Sequence, residues 1–268
     1  MRDILSDLED GTPEEKDPVR RAQAKMHKPL PKRFYSQVSV GPHASGFAIL
    51  LDGKPVRTPA RADFVVPAQD LALDLAAEWD AQIKEINPAA MPLTRMVNTA
   101  IDGVASASDA VIAEVLAYAG SDLLCYRAAT PAGLAARQAA LWDPYLDWAA
   151  NSLGARFILS EGVVHVTQPP EAIAATGVAL RRHASPLAIT GLHTLTTMTG
   201  SVILALALLA GHRSIDDIWS AAHVDEDWNI AHWGEDHEAA ARRAHRRKDA
   251  LAAARLIEAV SRQATAFR

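Results

Sequence analysis

Residues 46–58, Gly46-Phe47-Ala48-Ile49-Leu50-Leu51-Asp52-Gly53-Lys54-Pro55-Val56-Arg57-Thr58, decide how the chain begins to fold. An apolar run meets Asp52-Gly53, and glycine accepts the positive φ that a tight hairpin turn demands. The chain returns through Lys54–Thr58 until Pro59 ends the run. Upstream, Phe34, Val38 and Val40 roughly alternate, and downstream Phe64-Val65-Val66-Pro67 reads as one more short strand. These pieces predict a small antiparallel sheet.

From Ala68 the period changes. Leu71, Leu75, Trp79, Ile83 and Ile86 are spaced by fours and a three, the stripe of an amphipathic helix, which Asn87-Pro88 would stop. Further helices are expected at 109–119, 132–153, 171–183, 187–210, 214–222, 224–232 and 236–262, with Pro144 kinking or splitting the second of these. Arg156-Phe157-Ile158-Leu159 and Val163-Val164-His165-Val166 suggest a hairpin near 156–167. Strands first and helices after give an α+β fold: a small N-terminal antiparallel β domain followed by a larger, mainly helical C-terminal domain. The expected division is an N-terminal arm at 1–31, where prolines and dense charge interrupt any long helix, a β-rich domain at 32–86, and a helical domain at 87–268.

A chain of 268 residues buries a sizeable core without staples, and a net charge of -5 leaves no footprint for nucleic acid. The single cysteine, Cys125, lies in an apolar run and reads as a small buried hydrophobe in a reducing compartment. The acidic N-terminus resembles neither a secretory signal nor a transit peptide, so the expectation is a bacterial cytoplasmic protein. Pro186 to Gly211 carries no formal charge and is long enough to span a bilayer. Its threonines and His193 make the first half polar, so it reads as a buried core helix rather than a membrane insertion.

The search for catalytic chemistry finds no phosphate-binding loop, no nucleophile elbow and no CxxC pair. The densest polar region runs from Asp225 to Glu238. A metal-dependent hydrolase built on Asp225, Asp227, His232, Asp236 and Glu238 is the alternative reading. Against it, His232 and His237 are five apart, and Ala241 stands where an HExxH motif needs its second histidine. The plainer reading is a helix start, with Glu235, Asp236 and Glu238 in a first turn where the dipole favours anions. Arg242, Arg243, Arg246 and Arg247 then form a basic strip that either pairs with these acids or, together with them, reads a partner protein. Trp233 fits a core or an interface equally well, and Arg95 fits an ion pair or a surface reader.

Several segments are familiar when taken in order: Arg33-Phe34-Tyr35, LDGKPVRTP at 51–59, AEWDAQ at 77–82, Met91-Pro92-Leu93-Thr94 with Asn98-Thr99-Ala100-Ile101-Asp102, Asp122–Arg127, Gln138 through Trp142-Asp143-Pro144, and WGEDHE at 233–238. This ordered set resembles the assembly-factor family that chaperones the α subunit of the ATP synthase catalytic head in mitochondria and alphaproteobacteria. The resemblance implies a chaperone without enzyme activity or cofactor. Its partner would be the unassembled ATP synthase α subunit, kept from aggregating until the β subunit replaces it. It implies a bacterial cytoplasmic location here and the mitochondrial matrix in organellar relatives. A monomer suits the task of shielding one subunit. Glu235, Asp236, Glu238, Trp233 and Arg95 are the expected partner-binding residues, and Trp79 and Asp80 the expected structural ones.

Overall fold

The computed structural model describes residues 30–162 and 164–266. Most of the expected N-terminal arm, residues 1–29, lies outside the described residues. Two compact units divide the chain: residues 30–34 with Gln82–Asn87, and Tyr35–Ala81 with the chain from Pro88 onward. In the first unit the two segments pair antiparallel through Lys32 and Glu85. The Arg33 amide donates to the Lys84 carbonyl at 2.9 Å and the Ile86 amide to the Pro31 carbonyl at 2.8 Å.

The second unit opens with the sheet that the Asp52-Gly53 turn predicts. Strands β1 (Val38–His43), β2 (Gly46–Leu51), β3 (Lys54–Pro55) and β4 (Val65–Val66) are all antiparallel, with β2 central. β1 lies along one edge of β2, and β3 and β4 follow one another along the other. Asp52 and Gly53 both take positive φ, 47° and 78°. The Asp52 carboxylate then accepts the Ser36 and Gln37 amides, locking the turn to the start of β1. Ile49, Leu51, Phe64 and Val66 are buried under α1 (Gln69–Asp80), which turns Leu71, Ala72 and Leu75 inward.

α1 stops at Asp80 and does not continue to Asn87 as the periodicity suggests. Ile83, the next position on the stripe, is 85% exposed. The next helix, α2 (Pro92–Thr99), was not expected from the sequence. Proline occupies its first turn, where a missing N–H costs nothing. Glu78 reaches from α1 to accept the Leu93 and Thr94 amides at 2.8 and 2.7 Å, capping the α2 N-terminus. A π-type turn at Ala100–Val104 carries α2 into α3 (Ala105–Ala117).

α4 (Ala132–Trp148) runs through Pro144 as one helix, so the expected split is absent. The hairpin expected near 156–167 is also absent among the described residues. Instead Ser160–Glu161 (β6) pairs parallel with Tyr126–Arg127 (β5). The Gln168 side chain, buried, takes the Ile158 amide at 2.8 Å and donates to its carbonyl at 2.9 Å, so an amide replaces the missing ladder.

α5 (Pro170–Arg181) leads to the uncharged stretch from Pro186 to Gly211. It breaks into α6 (Pro186–Thr199) and α7 (Val202–Leu209) at Gly200, which takes φ 72°, and Ser201, whose hydroxyl caps α7. No helix among the described residues is long and apolar enough to cross a membrane. Every residue of α7 is buried. Asp122, wholly buried, accepts the Leu124 amide at 3.1 Å and the Ile203 amide at 3.2 Å, tying the 122–125 turn to the α7 N-terminus. Cys125 is buried in that turn, and burial together with the Asp122 charge pushes its thiol up to about 12, which keeps it protonated. α8 (Ile215–Ala222), α9 (Val224–Trp233) and α10 (His237–Ala266) complete the described residues. α10 packs along α6, where Gly191 lets Ile257 come so close that a Cβ there would lie 2.7 Å from Ile257 Cγ1.

Candidate functional site

The acidic turn is assembled by its neighbours. Ser214 and Asp217 cap α8 reciprocally, and α9 follows with Asp225, Glu226 and Asp227 in its first turn, where the helix dipole favours anions. On the face of α9, Trp228 packs against the start of α4; a Cβ at Gly133 would lie 2.6 Å from its ring. His232 stacks on Trp228 with ring centroids 4.2 Å apart. Trp233 ends the helix and is 86% exposed, the most exposed large hydrophobic side chain described. Gly234 then takes φ 88° and ψ 168°, a conformation essentially confined to glycine. The Asp236 carboxylate accepts the Ala239 amide at 2.7 Å and so caps α10. Glu235 and Asp236 therefore precede the helix instead of sitting in its first turn. Glu238 does lie in that turn and pairs with Arg242 at 3.2 Å.

Each arginine of the basic strip has a partner within the protein. Arg243 binds Asp227 at 2.6 Å, and Arg247 binds Asp216 at 2.5 Å while lying over the Trp219 ring. Arg246 donates to the Met198 carbonyl at 2.7 Å. These bonds stitch the front of α10 to α6, α8 and α9. What they leave outward is a projecting indole beside a short acidic loop.

The same bonds disperse the residues of the metal-hydrolase alternative. Asp225 accepts from the Gln138 amide at 2.7 Å, Asp227 faces Arg243, and Asp236 is a cap. His232 Nδ1 faces the Trp228 carbonyl at 2.8 Å. Among the described residues no group of three or more His, Cys, Asp or Glu side chains is arranged to hold a metal ion.

Arg95 is half-exposed on α2 and pairs with Asp249 of α10 at 2.8 Å. Asp249 stands eleven residues beyond Glu238, about 16 Å along the axis at 1.5 Å per residue. Arg95 thus meets, through Asp249, the helix that follows the acidic turn, well away from the turn itself. Trp79 packs edge-on against Tyr35 at 5.9 Å, and its carbonyl accepts the Tyr35 hydroxyl at 2.7 Å. Its indole nitrogen is buried without an acceptor among the described residues. Asp80, the last residue of α1, is exposed.

The 122–127 and 138–144 segments meet in a partly buried network whose roles could not be read from spacing. Arg127 donates to Asp143 at 2.7 Å and lies 5.1 Å from the Trp142 ring. Trp142 donates to the Ala221 carbonyl at 2.7 Å. Gln138 accepts the Ala128 amide at 2.7 Å while donating to Asp225. These side chains hold α4 to the turn before it and to the base of α9, and so position the acidic turn from beneath.

A family model described as ATP12 chaperone protein matches residues 32–150. A crystal structure of an Agrobacterium tumefaciens protein proposed to be a chaperone is 54% identical, with 97% of each chain covered and a TM-score of 0.83. The crystal structure of Atp12 from Paracoccus denitrificans is 38% identical, covering 86% of this chain and 98% of that one, with a TM-score of 0.79. A point mutant of the P. denitrificans protein matches at a TM-score of 0.78 with 39% identity. An α+β body carrying an exposed aromatic and an acidic loop, with this similarity along its length, is that of a chaperone for ATP synthase assembly. The chain belongs to the ATP12 chaperone family.

Proposed function

We propose that this protein holds the α subunit of the ATP synthase catalytic head before assembly and yields it to the β subunit, with no bond made or broken. An unpaired α subunit exposes the apolar face meant for β, and contiguous exposed apolar surface aggregates. A chaperone that covers this face must bind it less tightly than β does, so that exchange runs downhill. An affinity of micromolar order, about -8 kcal/mol, suits that task. Trp233, Glu235, Asp236 and Glu238 form the contact surface, with Arg95 farther along it, while Trp79 and Asp80 support the fold. One chaperone shields one subunit as a monomer, in the cytoplasm of a bacterium.

The observation that carries this reading is Trp233, 86% exposed at a helix end that a glycine elbow fixes. An exposed indole gains apolar burial when a partner covers it, and tryptophan is among the residues enriched at interface hot spots. The acidic loop around it gives register and speeds encounter with a basic surface. The test is light scattering during thermal aggregation of isolated α subunit. Equimolar native protein is expected to suppress the rise and Trp233→Ala to suppress it less; identical traces with and without the native protein would remove the proposal.

A further inference from the structure

Away from the acidic turn, three helices leave a cleft of about 370 Å³. α2 contributes Arg95, Met96 and Thr99, which lie on one face at three- and four-residue spacing. α6 contributes Thr194 and Met198, again four apart, and α10 contributes Arg246 and Asp249. The Thr99 and Thr194 hydroxyls donate back to carbonyls of their own helices, at 3.0 and 2.9 Å, which turns their outward chemistry toward methyl. The result is an apolar floor with two guanidiniums and one carboxylate at its edge.

The guanidiniums are held but not exhausted. Arg95 places one N–H on Asp249, and Arg246 places one on the Met198 carbonyl. A guanidinium carries five donors in a rigid fork, and its preferred planar partner is a carboxylate. Positions 246 and 249 continue the helix that begins at the acidic turn, so a partner lying along α10 from Trp233 would arrive at this cleft.

We infer that the cleft is a second docking point, taking from the client protein a segment in which an aspartate or glutamate stands beside an apolar side chain. The inference rests on the client-holding reading above and adds to it the chemistry of the segment bound. The apolar side chain fills the floor between Met96 and Met198, and the carboxylate meets Arg246 and Arg95. The two ends of the surface are then opposite in kind: an acidic loop for a basic patch of the client, and a basic-rimmed cleft for an acidic one. That polarity fixes one orientation of the client along α10.

The test uses full-length protein titrated calorimetrically with isolated α subunit, and overlapping short peptides of the α sequence as competitors. Thr99→Trp fills the cleft from an exposed position, and Arg246→Glu reverses its charge. Melting curves establish that both variants fold, and Thr99→Trp stands alone if loss of the Met198 contact unfolds Arg246→Glu. A loss of affinity of at least tenfold is expected in each, and the competing peptides are expected to be those with an acidic residue next to an apolar one. Native affinity in Thr99→Trp, or competition confined to neutral or basic peptides, would overturn the inference; if Trp233→Ala then still loses affinity, the client-holding reading survives it. Absence of any binding by the native protein would remove both.

Discussion

Replacing Gly234 by alanine separates the geometry of the acidic turn from the stability of the fold. Nothing lies within 4 Å of where the new Cβ would stand, so the substitution meets no steric obstacle. The cost is conformational: φ 88° with ψ 168° lies in a region essentially restricted to glycine, and holding another residue there costs about 1–3 kcal/mol. The turn is exposed on both sides and relaxes before the core does, so the elbow shifts while α9 and α10 persist. If the client needs the native elbow, a 1–3 kcal/mol bias against it lowers apparent affinity by roughly 5- to 150-fold. Calorimetric titration with isolated α subunit measures this, and circular dichroism melting checks the fold, whose midpoint should move by no more than a few degrees. Gly234→Ala binding as tightly as the native protein would refute the argument that this elbow presents Trp233 and Glu235 to a partner.

Three further outcomes concern the frame beneath the site. Gln138→Leu strands the part-buried Ala128 amide and removes the link to Asp225, and should destabilise the protein by about 1–3 kcal/mol in urea unfolding, at an unchanged slope. Gly191→Ala drives a methyl against Ile257 and the Ala253 carbonyl, at 2.7 and 3.1 Å, and should cost about 1–3 kcal/mol by the same measurement. Burial raises the Asp122 carboxyl from 3.8 to about 6, outweighing the donors around it, so the folded state holds this proton more tightly than the unfolded one. The associated stability is present in full below about pH 4 and is lost as pH rises through about 6, by roughly 3 kcal/mol. Asp122→Asn cannot ionise, and its unfolding free energy should lack that decline when the two proteins are compared between pH 4 and 6.5.

Local chemistry made the sheet legible. Asp52-Gly53 names its turn, and the flanking apolar runs fall on a register that buries Ile49 and Leu51. The first helix was legible in its stripe but not in its end, because Ile83 fits the spacing and is nevertheless outside. α2 was not legible because its N-terminal amides are satisfied by Glu78 on the preceding helix, not by a capping residue beside them. Gly200-Ser201 did carry a stop and a start, but the apolar composition around it masked them. At the site, the cluster of charge was plain, while its sorting was not. Whether Arg243 and Arg247 face a partner or the protein depends on Asp227 and Asp216, which only the packing of α8 and α9 brings to them. Likewise the cleft beside Arg95 draws on three helices far apart in sequence, so no single window of residues describes it.

The most direct measurement of the central claim is exchange on a sizing column with mass detection. Purified protein mixed with isolated α subunit should elute as a one-to-one complex, and addition of β subunit should release the free chaperone while α moves into the αβ species. A chaperone that fails to co-elute with α, or one that stays bound after β has joined, would contradict the account.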